Sequence, residues 1–274
     1  GEIQKPVIIT ELGFMDNGKN QPEWFQQAFK DMKEIHTEIH GAVLTYDVSK
    51  NIDYSINDET IKVISANLKV APFKDKPLLS KPDYFCFNPS KTTYQSSFIK
   101  GKDGSFVLYS DNKPFYIKGV AFNTAHDWRD GNTPLTRRQL IEDFTNIKAM
   151  GANTIRRYSN GMYDYNILNL AADYDLKVLY GFWFDPKVDF YKDSTKVKEY
   201  IENAVDKVKK YKDHKAILAW VIGNETWGLL KHKYTKPYLI NVRRQYLKMI
   251  EKIAQEIHKI DPNHAVLSAM EHEE

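Results

Sequence analysis

The chain has a single cysteine in 274 residues, Cys86, so no disulfide can form within it. Its neighbours in D-Y-F-C-F (83–87) are mostly aromatic, which predicts a buried and inert thiol. No apolar run approaches the roughly 20 residues of a membrane-spanning helix, so no span is expected. No signal peptide is read at the start, where the first residues already have the texture of a barrel interior. Charge of one sign is scarce as well. The 39 basic residues nearly balance 36 acidic ones, for a net charge of +3. The lysine-rich stretches Lys207 to Lys212 and Lys231 to Lys236 are interrupted by apolar positions and read as solvated helix faces, so nucleic acid is not an expected partner. Glycine-rich phosphate loops and the G-x-S-x-G nucleophile elbow are absent. His126 with Asp127, and His264 with His272, match no compact ligand spacing, so neither a metal nor a cofactor is expected.

What is present is a hydrophobic content of 42%, enough for a substantial core, and an aromatic content of 13%. Aromatic side chains fill cores, and their faces also serve as platforms for sugar rings. The length has room for one barrel of about 250 residues.

Two short segments carry the chemistry. A-I-L-A-W-V-I-G-N-E (216–225) is an apolar, β-rich run that stops at Gly223 and delivers Asn224 and Glu225. K-P-V-I-I-T-E-L-G (5–13) has the same form and delivers Glu11. In a parallel α/β barrel the carboxyl ends of the strands face the active site, so a carboxylate placed there reads as chemistry rather than surface. Two such glutamates are what glycoside hydrolysis requires, one as proton donor and one as nucleophile or base.

The string W-V-I-G-N-E resembles the acid/base strand of the retaining glycoside hydrolases of clan A, the (β/α)8 superfamily of β-galactosidases, β-mannanases and many β-glucanases. P-V-I-I-T-E-L-G resembles the nucleophile strand of the same clan. The resemblance implies Glu225 as acid/base, Glu11 as nucleophile and Asn224 as partner of the sugar 2-hydroxyl. P-F-Y-I-K-G-V-A-F-N (114–123) with G-A-N-T-I-R-R-Y (151–158) looks most like the β-galactosidase-type barrels and the fungal-type β-1,3-glucan transferases. An arginine at the end of the second strand is a clan feature. Strand alternation sends Arg156 and Arg157 to opposite faces, so only one enters the site, and the resemblance assigns that place to Arg156.

The expected fold class is α/β, a (β/α)8 TIM-barrel type. From 115 to 274 strands alternate with helices: strands at 115–123, 152–158, 177–184, 216–225 and 264–270, helices at 135–151, 164–175, 195–211 and from Pro237 onward. Thr136 with Gln139 forms a capping-box pattern, and Asp164 is the candidate cap of the next helix. Residues 1–70 have the same texture, with strands around Glu11 and at 41–47 and helices at 22–35 and 58–68. Between them, 71–114 reads as a linker rich in Pro, Lys and Ser, followed by a hairpin around D-N-K-P (111–114) of the type that lids the bottom of such barrels in the clan.

The order is unusual. In the clan the acid/base lies on the fourth strand and the nucleophile on the seventh. Here 1–70 resembles strands seven and eight, 115–274 resembles strands one to five, and strand six is not found. A permuted barrel, a cut through a larger or tandem protein, and a sequence that joins separate segments all fit this order. Two separate half-barrels would leave large apolar faces in water, which favours one closed site.

Further candidates for substrate binding sit at other strand ends: Asn123 and His126 after the first strand, Tyr158 after the second, Trp183 at the third, and Tyr46 where many clan members carry a tryptophan. The acid is expected to hold its proton through burial among aromatics such as Trp183, Trp220 or Trp227. The expected function is a retaining β-glycosidase or transglycosidase acting on a β-linked polysaccharide or oligosaccharide, placed outside the cell, in a periplasm or at a cell surface. The reading from another class is a catalytically silent carbohydrate-binding or structural barrel module of a larger cell-surface protein, which has no need of both glutamates.

Overall fold

The computed structural model describes residues 7–12, 20–35, 39–44, 48–49, 52–53, 57–68, 94–100, 106–122 and 136–270. Its centre is a seven-stranded sheet in which every neighbouring pair is parallel. The first part of the chain supplies β1 (Val7–Leu12) and β2 (Ile39–Leu44), with α1 (Gln21–Glu34) and α2 (Asp58–Asn67). Two short strands, β3 (Val48–Ser49) and β4 (Ile52–Asp53), pair only with each other. A separate three-stranded antiparallel sheet holds β5 (Ser96–Lys100), β6 (Phe106–Ser110) and β7 (Lys113–Pro114). The remaining sheet strands are β8 (Ile117–Ala121), β9 (Thr154–Arg157), β10 (Lys177–Phe182), β11 (Ile217–Asn224) and β12 (Ala265–Ala269). Between them run α3 (Arg137–Ala149), α4 (Asp164–Asp173), α5 (Ser194–Tyr211), the short α6 (Thr226–Leu229) and α7 (Tyr238–Ile260).

The strand order β1-β2-β8-β9-β10-β11-β12 joins the two parts of the chain in one sheet. The junction is a parallel ladder in which Gly41, Ala42, Val43 and Leu44 stand opposite Ile117, Lys118, Gly119 and Val120. Mapped onto a (β/α)8 barrel, this is strands seven, eight, one, two, three, four and five. Among the described residues, β1 and β12 are the outer strands, and no strand occupies the sixth position between them.

Each face of the sheet has its own core. On one side, alternate residues such as Ile155, Val178, Tyr180, Trp220 and Ile222 pack against the helices. The helices meet them with apolar stripes at helical spacing; on α7 these are Leu239, Val242, Tyr246, Met249, Ile250, Ile253 and Ile257. The opposite face carries Val43, Ile117, Ala121, Leu179, Leu218, Ala219, Val221 and Ala269, joined by Leu108 of β6 and, among the described residues, by no helix residue. Among the described residues no helix covers that side, and a sheet that curls on itself, as in a barrel, is what buries such a face. Val43 of the first part and Val221 of the last thus share one interior cluster. Burying each such side chain stabilises the fold by roughly 1.5–3 kcal/mol.

The β5–β7 sheet lies under the amino ends of the strands. Ser96 accepts from the Ala265 amide at 3.1 Å and donates to the Leu218 carbonyl, and Asp111 pairs with Lys177 at 2.9 Å. Its tight turn has Asp111 and Asn112 at φ of 51° and 63°, the left-handed pair that a two-residue hairpin loop requires. With one end of the sheet covered in this way, chemistry is left to the other.

Candidate active site at the carboxyl ends of the strands

From Trp220 the side chains of β11 alternate: Trp220 and Ile222 face the helices, Val221 the interior. Gly223 then takes φ of +80°, and the β11–β12 register shifts between Ile222 and Asn224. Simple alternation would turn Asn224 outward. The left-handed residue resets the phase, and Asn224 joins the interior side. A β-carbon at 223 would lie 2.4 Å from the hydroxyl of Tyr246, so the position is closed to larger residues on steric as well as conformational grounds.

Asn224 meets Arg156 there. Nη2 of Arg156 donates to Oδ1 of Asn224 at 2.5 Å. Arg156 stands opposite Ala121 of β8 and Leu179 of β10, both interior residues, and its guanidinium carbon lies 4.5 Å from the centre of the Tyr158 ring. Arg157 points the other way. It donates from Nη1 to the Phe122 carbonyl at 3.3 Å and lies 3.7 Å from Asp164 at the start of α4. Burial pushes the pKa of Arg157 down, against the pull of Asp164. Of the two arginines, Arg156 alone enters the interior, as strand alternation predicts.

Glu225 follows with φ of +55°, a conformation that costs a non-glycine residue of order 1–3 kcal/mol and that clusters at functional sites. Its amide donates to the Ala269 carbonyl at 3.1 Å, and its carbonyl accepts from Leu229 at 3.1 Å, which opens α6 directly after it. The side chain is half-buried. Trp227, in α6, is half-buried and covered by the Arg243 guanidinium at 4.7 Å. Trp183 follows the end of β10 with 43% of its surface exposed. Trp220 faces the helix layer, donating from Nε1 to Asp261 at 2.7 Å, so it is not one of the aromatics that can desolvate Glu225.

Glu11 falls one residue before the end of β1, and the sheet is parallel throughout, so its backbone lies on the same edge as Glu225. The Glu11 side chain is outside the described parts of the structure. Tyr46, Asn123 and His126 are outside the described residues altogether, as are Cys86, Asp127 and His272. Among the described residues no three His, Cys, Asp or Glu side chains are grouped to hold a metal, and no helix is long and apolar enough to cross a membrane.

Sequence reasoning missed the residues that hold the Glu225 turn. Thr226 donates to the Phe184 carbonyl at 2.9 Å, and the hydroxyl of Tyr246, buried on α7, lies behind Gly223. The signal for Tyr246 was a hydroxyl in an otherwise aliphatic stripe, which by pattern alone reads as core.

Comparison with known proteins fits this geometry. Among solved structures, a β-glucuronidase from an uncultured Clostridium species matches at a TM-score of 0.51 with 18% identity, over 65% of this chain and 29% of that one. A calcium-binding mutant of Bacteroides uniformis β-glucuronidase 2 matches at 0.50 with 17% identity, over 60% and 19%. The β-D-mannosidase of Dictyoglomus thermophilum gives 0.46 with 17% identity, over 65% and 21%. The first two show the fold, a glycosidase-type barrel. The chain spans about a fifth to under a third of the length of these proteins. Comparison with curated proteins finds no match. The sequence profile described as glucanosyltransferase, glycoside hydrolase family 72, matches residues 88–260, from before the β5–β7 sheet to the end of α7. The chain belongs to the glucanosyltransferase family.

Proposed function

We propose that this chain carries the site of a retaining β-glycosidase or transglycosidase acting on a β-linked polysaccharide or oligosaccharide. The observation that carries the reading is the end of β11. Glu225 is held in a left-handed turn at the strand end, beside an Asn224 amide fixed by a buried arginine. In this reading Glu11 is the nucleophile. Its carboxylate attacks the anomeric carbon while Glu225 gives its proton to the departing glycosidic oxygen. Glu225 then takes a proton from the incoming hydroxyl, which displaces Glu11. If that hydroxyl belongs to water the reaction is hydrolysis; if it belongs to a sugar the reaction is transfer, the outcome that the family favours. Asn224 contacts the sugar 2-hydroxyl, and the Arg156 guanidinium keeps the nucleophile ionised.

A polymeric substrate is supported by the rim. Of the ten exposed large apolar side chains among the described residues, six lie on the loops or first helical turns that follow the strands: Met162, Tyr165, Trp183, Tyr191, Ile240 and Met270. Apolar and aromatic surface gathered around one mouth suits the faces of several sugar rings. Tyr158 and Trp183, with Tyr46, Asn123 and His126, complete the proposed sugar contacts. Such a substrate places the protein outside the cell, in a periplasm or at a cell surface, as part of a larger or tandem protein.

The test is a pair of substitutions. Glu225→Gln is expected to slow turnover of a β-glucan far more than of an activated aryl glycoside, because only the former needs a proton donor. Glu11→Gln is expected to abolish both. Equal losses on both substrates in each variant would show the roles to be misassigned.

A further inference from the structure

We infer that the loops following β10 and β11 form a subsite for an acid-bearing sugar, which makes an acidic β-linked glycan the preferred substrate. Tyr191 offers a face to the sugar ring, and the ammonium groups of Lys192 and Lys233 take the acid group. The inference rests on the reading of the chain as an enzyme of β-linked glycans and names the class of glycan.

The two loops lie at the carboxyl end of the sheet, where Glu225 stands. One runs from the end of β10 to α5, and the other from Glu225 through α6 and a short 3-10 turn, Leu230–His232, to α7. Printed bonds join them into one surface. The Tyr238 hydroxyl donates to Oδ2 of Asp189 at 2.7 Å, and Nζ of Lys233 donates to the Lys187 carbonyl. Oδ1 of Asp189 accepts from the amides of Tyr191 and Lys192, each at 3.1 Å, which fixes where those two side chains leave the backbone. The Tyr191 and Tyr238 rings meet edge to face with centroids 5.8 Å apart, and Tyr234 lies 5.8 Å from Tyr238. The Lys192 ammonium sits 5.3 Å over the centre of the Tyr238 ring, and that of Lys233 5.1 Å over the centre of Tyr234. Cations thus occupy a face of each half-buried ring, while Tyr191 is the exposed ring of the three.

The charge of these lysines is not answered within the fold. On α5, Lys196, Lys198, Lys207 and Lys209 each lie within 4.0 Å of a carboxylate. Among the described residues no carboxylate comes that close to Lys187, Lys192, Lys231, Lys233 or Lys236, all of them exposed. The aspartates of the β10 loop are turned to backbone N–H groups instead. Asp185 accepts from the Lys187 amide at 2.8 Å, Asp193 from the Lys196 amide at 2.9 Å, and Asp189 as described. On the other side no Asp or Glu occurs from Thr226 to Ile250, so the chain that follows the proposed acid/base carries positive charge alone. The sequence pattern of Lys231 to Lys236 reads as a solvated helix face. The structure puts these residues on the 3-10 turn and the loop before α7, at the mouth.

An ammonium resting on an aromatic face is held in place by the ring. It has three N–H donors and no acceptor, so Lys192 keeps donors for a ligand, and Lys233 keeps those that the Lys187 carbonyl does not take. A neutral sugar can use such donors, but an acid group makes the charge-assisted bonds that are about twice as strong. An exposed tyrosine beside them supplies the apolar platform that the rest of the sugar needs.

The experiment measures binding of carboxymethylated β-glucan, sulfated β-glucan and the neutral parent polymer by titration calorimetry. It compares the unmodified protein with Tyr191→Ala and with the double variant Lys192→Gln, Lys233→Gln; all three side chains are exposed, and thermal melts check that each variant is folded. At low salt the unmodified protein is expected to bind an acidic polymer about tenfold more tightly than the neutral one, with the preference shrinking at about 0.15 M salt. The double lysine variant should bring acidic-polymer affinity down to the neutral level and leave neutral binding within about twofold. Tyr191→Ala should weaken both kinds of polymer alike, by about fivefold. Whichever acidic polymer binds more tightly identifies the acid group as carboxylate or sulfate. Equal affinity of the unmodified protein for acidic and neutral polymers would overturn the inference, as would an acid preference that survives the double lysine change. A DNA duplex or anionic lipid vesicles bound as tightly as the acidic glucan would also overturn it, since the lysines would then serve polyanions at large. The two readings fail separately. Acidic-glucan binding through these lysines without turnover of any β-glucan removes the proposed enzyme and keeps the subsite, and turnover of neutral β-glucan with no acid preference does the reverse.

Discussion

Arg156 reaches Asn224 across an intervening strand. The two residues stand 68 positions apart in sequence, on β9 and β11, and Nη2 meets Oδ1 at 2.5 Å over the top of β10. Two strand spacings amount to about 10 Å, which an extended arginine spans and shorter cations do not. The bond also settles the amide. With Oδ1 accepting from the guanidinium, Nδ2 is the end that can donate to a sugar oxygen.

Arg156→Lys is therefore not conservative. The ammonium keeps the charge but lacks the planar fork that reaches Oδ1 while stacking on Tyr158. We expect kcat/KM to fall by about a hundredfold in Arg156→Lys and by a similar factor in Asn224→Ala. The double variant should lose no more than either single change, because both remove one interaction. Steady-state kinetics on a double-mutant cycle measures this, and strictly additive losses would mean that the two residues serve the reaction separately.

A different buried pair sets acid stability. Oδ2 of Asp261 accepts from Trp220 at 2.7 Å and lies 2.8 Å from Nδ1 of His264, and Oδ1 accepts from the Asn263 amide. Burial raises the Asp261 pKa, but the bonds and charge of His264, with those of Trp220 and Asn263, outweigh it and leave the value below that of a free aspartate. A depressed carboxylate contributes stability that is complete above its unfolded value of about 4 and is lost as pH falls through the folded one. Asp261→Asn should cost about 1–3 kcal/mol near neutrality. Urea unfolding at a series of pH values should show that cost shrinking below about pH 4. A constant difference down to pH 2 would assign it to packing rather than to charge.

The elements that were legible in the sequence are those whose signals are local. The Thr136–Gln139 capping box forms as its spacing predicts, and the α7 stripe packs as its period predicts. The arginine pair divides between the two faces because strand alternation is a purely local rule. Features fixed by distant partners were not legible. Asp164, expected as a helix cap, is instead the first residue of α4. There it accepts from the Gly161 amide and, at 2.6 Å, from the Tyr180 hydroxyl. The Ser96–Lys100 strand lies at the edge of a Pro- and Lys-rich stretch, and its pairing with β6 and its bonds to Leu218 and Ala265 come from residues up to 169 positions away. In the site, G-N-E announced the carboxylate, but nothing in those letters reveals that Gly223 resets the alternation or that Tyr246 stands behind it.

The proposed pairing of Glu11 with Glu225 predicts the stereochemical outcome. β1 and β11 present Glu11 and Glu225 at the same edge, and retaining enzymes hold their two carboxyl groups roughly 5–5.5 Å apart, close enough for direct attack and too close for an intervening water. We expect the first-formed product to keep the anomeric configuration of the substrate, which NMR during the earliest turnovers reads directly. A 2-fluoro sugar with a good leaving group should label the protein once, and peptide mapping should find the label on Glu11. An inverted product would require a water between the two carboxylates and a separation of about 6.5–9.5 Å, which would remove Glu11 as nucleophile and leave it as a general base. Label on a residue outside β1 would instead keep the retaining mechanism and reject this strand as its source.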